Sequence, residues 1–436
     1  MPKKNIEVFE GHELKNTPPE FPKENSRCIL LGNNANNQEV KLPLNDDLFS
    51  KHILFLGGIG TGKTNAIFQI IGQLRKNMTS NDVMLIFDTK GDYYNEFYQK
   101  GDIVLSNDEK ATGVDEIDYW NIFKEIGLDE SIDESIFEIT RTLFYEKIQR
   151  TNQPFFPNAA KDIFSAILLH LYRLGDPSKA NNAQIRSFLD KSPSSEIRSM
   201  LESHLDLKAM TSYISDDRSP QTQGIISELQ QLTREILIGN FKKEGKLSIR
   251  EAIRNKGGRV IFVEYDLGQG NVLTPIYRLL LDLAIKEALC RKKSEGNVWF
   301  IIDEFRLVPN LQHVDDGVNF GRSLGAKFMI GVQSVEQVFH AYGEALARSI
   351  LSGFMTTVAF HVNDSATRSF VQQLFGKNRK LESYMATVSS RGLVEQVREA
   401  NVVEDWDMNS LTTGKAVIGL PAQEPFLFHF KQYKKD

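Results

Sequence analysis

Apolar positions along this chain follow two spacings. Short runs at 53–56, 83–87, 260–263, 298–302, 328–332, 355–360 and 416–420 have the length of strands, and several are apolar at every position. Unbroken apolarity suits strands buried on both faces of a parallel sheet, since a sheet with one wet face alternates instead. Between most of these runs the spacing becomes helical. Residues 64–77 place Ile67, Ile70, Ile71 and Leu74 on one stripe. Thr274-Pro275 reads as an N-cap followed by proline at the first helical position, opening a helix to about Cys290. Ser334-Val335-Glu336-Gln337 reads as a capping box. Strands and helices in alternation predict an α/β fold with a doubly wound core.

The middle differs. From about Trp120 to Arg254 the pattern is helical with almost no strand signal: Ile163, Ile167 and Leu171 share one helix face, and residues 224–238 supply another helix. The predicted organisation is an α/β core formed by 28–119 and 255–436, with a mainly helical domain, 120–254, inserted in it. Residues 1–27, with Pro18, Pro19 and Pro22 and no period, read as an extended arm. Residues 28–31 and 39–44 read as short strands joined by the hairpin loop Gly32-Asn33-Asn34-Ala35-Asn36-Asn37.

Composition narrows the class. The chain has 436 residues, 41% hydrophobic and 25% charged, which excludes disordered, collagen-like and disulfide-scaffold proteins and allows two or three domains. A net charge of −5 requires that any nucleic acid be held by a local basic surface. The two cysteines, Cys28 and Cys290, form no CxxC pair and read as reduced thiols. Met1-Pro2-Lys3-Lys4 is followed by no apolar stretch, so no signal peptide is expected. No apolar run approaches the roughly 18 residues that span a bilayer. A soluble, cytoplasmic protein is the expectation.

Gly57-Gly58-Ile59-Gly60-Thr61-Gly62-Lys63-Thr64 matches G-x-x-x-x-G-K-[ST], the phosphate-binding P-loop, between a predicted strand and an amphipathic helix. Backbone N–H groups from Gly58, Ile59, Gly60, Thr61 and Gly62 would curl around phosphates, aided by the helix N-terminus. Lys63 would reach the β and γ phosphates of ATP, and Thr64 would give its hydroxyl to Mg²⁺. A P-loop needs an acidic partner, and the run at 298–302 ends in Asp303-Glu304. Asp303 would hold the magnesium through water, and Glu304 would polarise the attacking water. Gln333, at the end of the next apolar run, is a candidate contact to the γ-phosphate or that water. Arg322 lies at a distance that suits the far face of the domain, where it would serve a neighbouring subunit as an arginine finger. Asp88-Thr89-Lys90-Gly91-Asp92 ends another strand on the side where open α/β sheets bind ligands; no chemical step is assigned to it.

Taken in order, the P-loop, Asp88-Thr89-Lys90-Gly91-Asp92, Ile301-Ile302-Asp303-Glu304-Phe305, and Gly321-Arg322 followed by Val332-Gln333-Ser334 resemble the FtsK/HerA superfamily of DNA-pumping ATPases. More closely, they resemble the type IV secretion coupling proteins of the TraD and TrwB kind, over about residues 28–430. The resemblance implies a RecA-like P-loop core carrying an all-α domain. It also implies a ring, usually a homo-hexamer, that passes DNA through a central pore while hydrolysing ATP at subunit interfaces. Arg322 becomes the finger acting in trans, and Gln333 the sensor. Coupling proteins normally begin with transmembrane helices; none is legible here, which points to a soluble motor or one recruited by a partner such as a nuclease, relaxase or secretion component. Two rival readings keep the nucleotide chemistry. One is an ATPase powering protein or pilus transfer, and the other is a nucleotide-gated module that switches a partner nuclease. Whether DNA or a protein partner stimulates hydrolysis separates the first rival from the DNA motor. Glu304→Gln separates the second, since it should abolish a pump but preserve the activity of a gated partner.

Overall fold

Leu54, Leu56, Leu85, Phe87, Phe300 and Ile302 pack into one hydrophobic layer, and their chain neighbours Ile53, Phe55, Met84, Ile86, Trp299 and Ile301 into another. A period of two within runs that are apolar throughout means one sheet covered on both faces. Each Leu or Ile so buried contributes about 1.5–3 kcal/mol.

The computed structural model describes residues 5–20, 25–107, 119–128, 131–268, 270–290, 296–385 and 393–435. Residues 1–4 and 21–24 of the expected arm, and 108–118 ahead of the expected helical domain, lie outside them. The strands begin with β1 (Asn5–Glu10), β2 (Ser26–Asn33), β3 (Glu39–Asn45), β4 (Ile53–Leu56), β5 (Val83–Asp88), β6 (Ile103–Leu105) and β7 (Arg259–Glu264). They continue with β8 (Val298–Ile302), β9 (Ala326–Val332), β10 (Thr356–Ala359), β11 (Lys377–Met385), β12 (Leu393–Asn401), β13 (Lys415–Gly419) and β14 (Phe426–Phe430).

The large sheet has eleven strands in the order β3-β2-β14-β13-β10-β4-β9-β8-β5-β7-β6. From β10 to β6 all neighbours are parallel; from β10 outward to β3 they are antiparallel. The run expected at 416–420 is therefore an antiparallel strand. β3 closes the sheet, and its Pro43 pairs with Ile29 where an edge strand tolerates a missing N–H. β1, β11 and β12 make a separate antiparallel sheet. The arm is thus no free extension: β1 pairs with β11, and Lys15 exchanges backbone hydrogen bonds with Pro425 and Leu427 beside β14.

On one side of the large sheet lie α1 (Asp46–Ser50), α2 (Lys63–Asn77) and α3 (Asp92–Phe97), packed through the second layer. Between β6 and β7 run α4 (Ile132–Gln149), α5 (Phe155–Arg173), α6 (Asn182–Lys191), α7 (Ser194–Glu202), α8 (Pro220–Ile236) and α9 (Ile249–Asn255). The core resumes with α10 (Gly270–Ala288), α11 (Val314–Phe320) and α12 (Val335–Tyr342). The inserted helices join the first layer and are tied to α10 by ion pairs of Arg278 with Glu146, Lys286 with Glu138, and Arg250 and Arg254 with Glu287.

One expected helix start and one expected cap are corrected. α10 begins at Gly270, so Pro275 lies inside the helix, and the Thr274 hydroxyl donates back to the Gly270 carbonyl (3.0 Å) instead of capping. The true serine–proline start is Ser219-Pro220, whose serine accepts the Thr222 N–H at the head of α8. The capping box at 334–337 does not form: Ser334 makes no side-chain cap, and the Val335 N–H donates to the hydroxyl of Thr367 (2.9 Å), supplied by another helix.

Candidate functional site

β4 ends at Leu56, and the chain turns at once into the glycine loop. The Gly57 N–H donates to the Val332 carbonyl of β9 (3.1 Å) and the Gly58 N–H to the His361 carbonyl beyond β10 (2.9 Å), so both parallel neighbours anchor the loop. Gly60 and Gly62 take positive φ, +73° and +115°, which L side chains rarely adopt. α2 then starts at Lys63 with no side-chain cap on its first amides, the arrangement that makes a helix N-terminus an anion site. The Lys63 ammonium, buried, donates to the carbonyls of Gly57 (2.5 Å) and Gly58 (3.1 Å). Burial pushes its pKa down; Asp303 and Glu304 oppose that shift.

The acidic partner arrives from β8. The Thr64 hydroxyl donates to Asp303 Oδ2 at 2.9 Å, joining residues 239 positions apart. A Cβ on Gly331 of β9 would stand 2.1 Å from the Asp303 carbonyl oxygen, so glycine is what lets β9 pass this close. Gln333 follows β9 and donates its amide N–H groups to both oxygens of Glu304, at 2.7 and 2.8 Å. Arg306 Nε lies 3.6 Å from Glu304 Oε2.

The third wall is the segment after β5. Asp88 accepts N–H bonds from Lys90 (3.2 Å), Gly91 (2.9 Å) and Tyr94 (2.8 Å), which fold the turn and start α3. Burial pushes the Asp88 carboxyl up, and those donors pull it back. The turn brings the Tyr93 hydroxyl to Asp303 Oδ2, 2.8 Å away. Burial and the neighbouring Asp303 raise the phenol's pKa far above its usual range, so it stays a donor. Tyr93 was not singled out from the sequence; its sole signal is its place just after the Asp88–Asp92 motif.

Ile59, Gly60, Lys63, Thr64, Asp303, Glu304 and Gln333 thus line one cleft of about 190 Å³, together with Asp88, Lys90, Asp92, Tyr93 and Arg306. Larger cavities exist, including one of about 630 Å³ between α4 and α12, but it shares only Arg306 with this cleft and contains none of the other groups above. Chemistry, rather than size, singles out the small one. Asp303 Oδ1 is buried and accepts no hydrogen bond among the described residues; with Oδ2 and the Thr64 hydroxyl that donates to it, the carboxylate supplies hard oxygens of the kind that suits Mg²⁺. Among the described residues no group of three His, Cys, Asp or Glu side chains could hold a metal ion. A cation held here would need further ligands from phosphate and water.

Arg322 is not in the cleft. It sits in the turn Gly321–Leu324 ahead of β9, half-exposed, with Nη2 2.8 Å from Asp47 Oδ1. The seven residues of β9 separate it from Gln333 by roughly 20 Å.

Known proteins give this arrangement a context. The Escherichia coli (strain K12) coupling protein TraD is 21% identical over 445 aligned positions, covering 96% of this chain and 57% of TraD. The chain thus spans little more than half of that relative. The solved structure of the plasmid coupling protein TrwB in complex with ADP and Mg²⁺ matches with a TM-score of 0.75 at 16% identity, covering 100% of this chain and 97% of that one. VirB4 of Thermoanaerobacter pseudethanolicus matches with a TM-score of 0.57 at 11% identity, over 93% and 96% of the two chains. These likenesses establish a RecA-like P-loop fold with a helical domain. Among the described residues no helix is long and apolar enough to cross a membrane. The family of the type IV secretion-system coupling protein DNA-binding domain matches residues 38–425, and the chain belongs to that family.

Proposed function

We propose that this chain is a magnesium-dependent ATPase that assembles into a ring, as a homo-hexamer, and drives DNA through its centre. The observation that supports the reading most directly is the bond between Thr64 and Asp303 at 2.9 Å, which joins the P-loop to the acidic strand end.

Each residue has a physical task in that reading. Backbone N–H groups from Gly58 to Gly62 and the start of α2 hold the phosphates. Lys63 exchanges the carbonyls of Gly57 and Gly58 for β and γ oxygens. Thr64 and Asp303 would hold Mg²⁺, which when bound would supply positive charge against the phosphates. Glu304 takes the proton of the attacking water, and for this the Gln333 amide that now spans both its oxygens must turn away. Turning toward the γ-phosphate would make Gln333 the sensor. Arg322 serves the nucleotide of an adjacent subunit. DNA is gripped by its phosphates, without sequence preference, through local basic surface, because the chain as a whole carries −5. The cytoplasm, where ATP and DNA are both at hand, is the place of action.

The test is steady-state ATP hydrolysis with and without single- and double-stranded DNA. DNA raises the rate, and the DNA concentration needed for half-stimulation rises by orders of magnitude between roughly 50 and 200 mM salt. Glu304→Gln keeps nucleotide binding and loses roughly 10²–10⁴ in hydrolysis. A rate indifferent to every form of DNA removes the motor; stimulation by a protein partner alone moves the proposal to protein transfer.

A further inference from the structure

The segment from Asp88 to Tyr93 carries no role in the reaction as proposed, yet it is built with care. Three backbone N–H groups close on the Asp88 carboxylate, Gly91 takes φ +74° to open α3, and Tyr93 is left 4% exposed. The ring of Tyr93 meets Phe68 of α2 edge-on, with centroids 5.1 Å apart, and Phe68 in turn meets Phe97 of α3 at 5.1 Å. One aromatic cluster therefore locks the helix that presents Thr64 to the helix that presents Tyr93.

Both helices aim a hydroxyl at the same atom. Asp303 Oδ2 accepts from Thr64 at 2.9 Å and from Tyr93 at 2.8 Å. Oδ1 accepts from none, and it lies so close over β9 that a Cβ on Gly331 would stand 2.6 Å away. A carboxylate can turn about its Cβ–Cγ bond, and two donors on one oxygen settle which oxygen stays uncommitted. The Thr64 oxygen can give a lone pair to a cation while its O–H still donates, so Tyr93 is the second donor on Oδ2 and the one with no contact of its own to the cation.

We propose that Tyr93 is a positioning residue for the metal, fixing the Asp303 carboxylate through Oδ2 so that its remaining acceptor capacity serves Mg²⁺. This rests on the nucleotide reading of the cleft. Partners of this kind, which touch a ligating group rather than the ion, change metal affinity by about 10–100-fold.

Binding of a fluorescent ATP analogue, titrated with MgCl₂ and repeated in EDTA, reads the effect without turnover. Tyr93→Phe keeps the ring and its contact with Phe68 and removes only the hydroxyl. It raises the magnesium midpoint about 10–100-fold while leaving the metal-free nucleotide affinity and the melting temperature as in wild type. Tyr94→Phe, the adjacent phenol outside the cleft, leaves the midpoint alone. In an Asp303→Asn background Tyr93→Phe adds nothing further, because the two residues act as one unit. A midpoint for Tyr93→Phe within about twofold of wild type overturns the assignment, since that lies well below the usual range for such partners. Equal weakening with and without metal also overturns it, showing that the hydroxyl shapes the cleft rather than the cation's site. A wild-type protein whose nucleotide binding ignores magnesium would sink the nucleotide reading itself, which is a different failure.

Discussion

The two ends of β9 carry opposite kinds of polar surface. At its C-terminal end, Lys63, Thr64, Tyr93, Asp303, Glu304 and Gln333 line one cleft, where Thr64 and Tyr93 hold Asp303, Gln333 holds Glu304 and Lys63 holds the loop carbonyls, across chain distances as long as 239 positions. At its N-terminal end, Arg322 and Lys51 meet Asp47, and Arg27 and Lys327 meet Asp46. There Phe320 is 68% exposed beside the arginine. Chemistry that one chain performs alone needs buried groups held in fixed geometry. A side chain lent to another subunit has to be exposed and weakly held, so that it can leave its resting partner. On the proposed reading, binding and proton transfer belong to the first end and a supplementary charge to the second.

Arg322→Ala is the strongest way to break that contrast. With the arginine acting in trans, hydrolysis falls by about 10³–10⁵-fold, while nucleotide binding at the cleft is retained. Mixing settles whose site the arginine serves. Lys63→Ala subunits cannot use their own cleft but still carry Arg322, so mixed rings recover part of the activity lost by Arg322→Ala rings. Hydrolysis rates measured across mixing ratios check this. No recovery at any ratio means that the far end acts within its own chain or not at all.

Beneath the exposed Arg322–Asp47 pair the far end rests on one buried ring, and pH reaches it. The Phe328 N–H donates to His52 Nδ1 at 3.1 Å, and Nε2 meets the Val318 carbonyl at 3.0 Å. One nitrogen must therefore accept and the other donate, which is the neutral ring. Burial, opposed by the Val318 carbonyl and assisted by the charge of Arg322, pushes the pKa down from 6.5 to about 4. Between those values the unfolded chain binds a proton that the folded chain refuses, so stability is lost as pH falls through that window. The loss amounts to about 2 kcal/mol by pH 5 and approaches 3 near pH 4. Urea midpoints at pH 7 and 5 measure it. His52→Gln, which can donate and accept without titrating, removes this share of the difference. It leaves the opposite share from the buried Glu125 and Asp282 carboxyls, which burial pushes up to about 7; an unchanged slope in that variant moves the acid sensitivity elsewhere.

The same contrast explains what the sequence could disclose. The cleft end was legible because its parts are contiguous motifs with invariant backbone demands: glycines at positive φ before Lys63, and an apolar strand ending in Asp303-Glu304. Tyr93 was not, because a buried hydroxyl on a short helix has no spacing of its own, and only the fold shows that it faces Asp303. The parallel strands were legible from unbroken apolarity. β1, β11 and β12 were hidden because their sheet is rich in charge, as in Lys377-Asn378-Arg379-Lys380, and β6 is only three residues long. Thr274-Pro275 misled because the fold extends α10 one turn upstream, where the Gly270 N–H donates to the Asp266 carbonyl and tertiary burial outweighs the local start signal.

The smallest effect is the sharpest test of how loosely the far end is held. Asp47 is about half-exposed and meets both Lys51 (2.7 Å) and Arg322 (2.8 Å). The hydrogen bond from Lys51, with the charges of Lys51 and Arg322, holds its carboxyl below the usual range. Exposed pairs of this kind are worth about 0–1 kcal/mol, because solvent screens them and ordering long side chains opposes them. Asp47→Asn should therefore change the unfolding free energy by less than about 1 kcal/mol and leave nucleotide affinity at the cleft as it was. It also removes the resting partner that Arg322 must leave to reach a neighbouring subunit. Hydrolysis per subunit, followed against protein concentration, is expected to stay level or rise by no more than about fivefold, the factor that 1 kcal/mol allows. A fall as deep as that of Arg322→Ala would reverse the contrast, making Asp47 and Arg322 a working pair at the far end rather than a surface contact waiting to be exchanged.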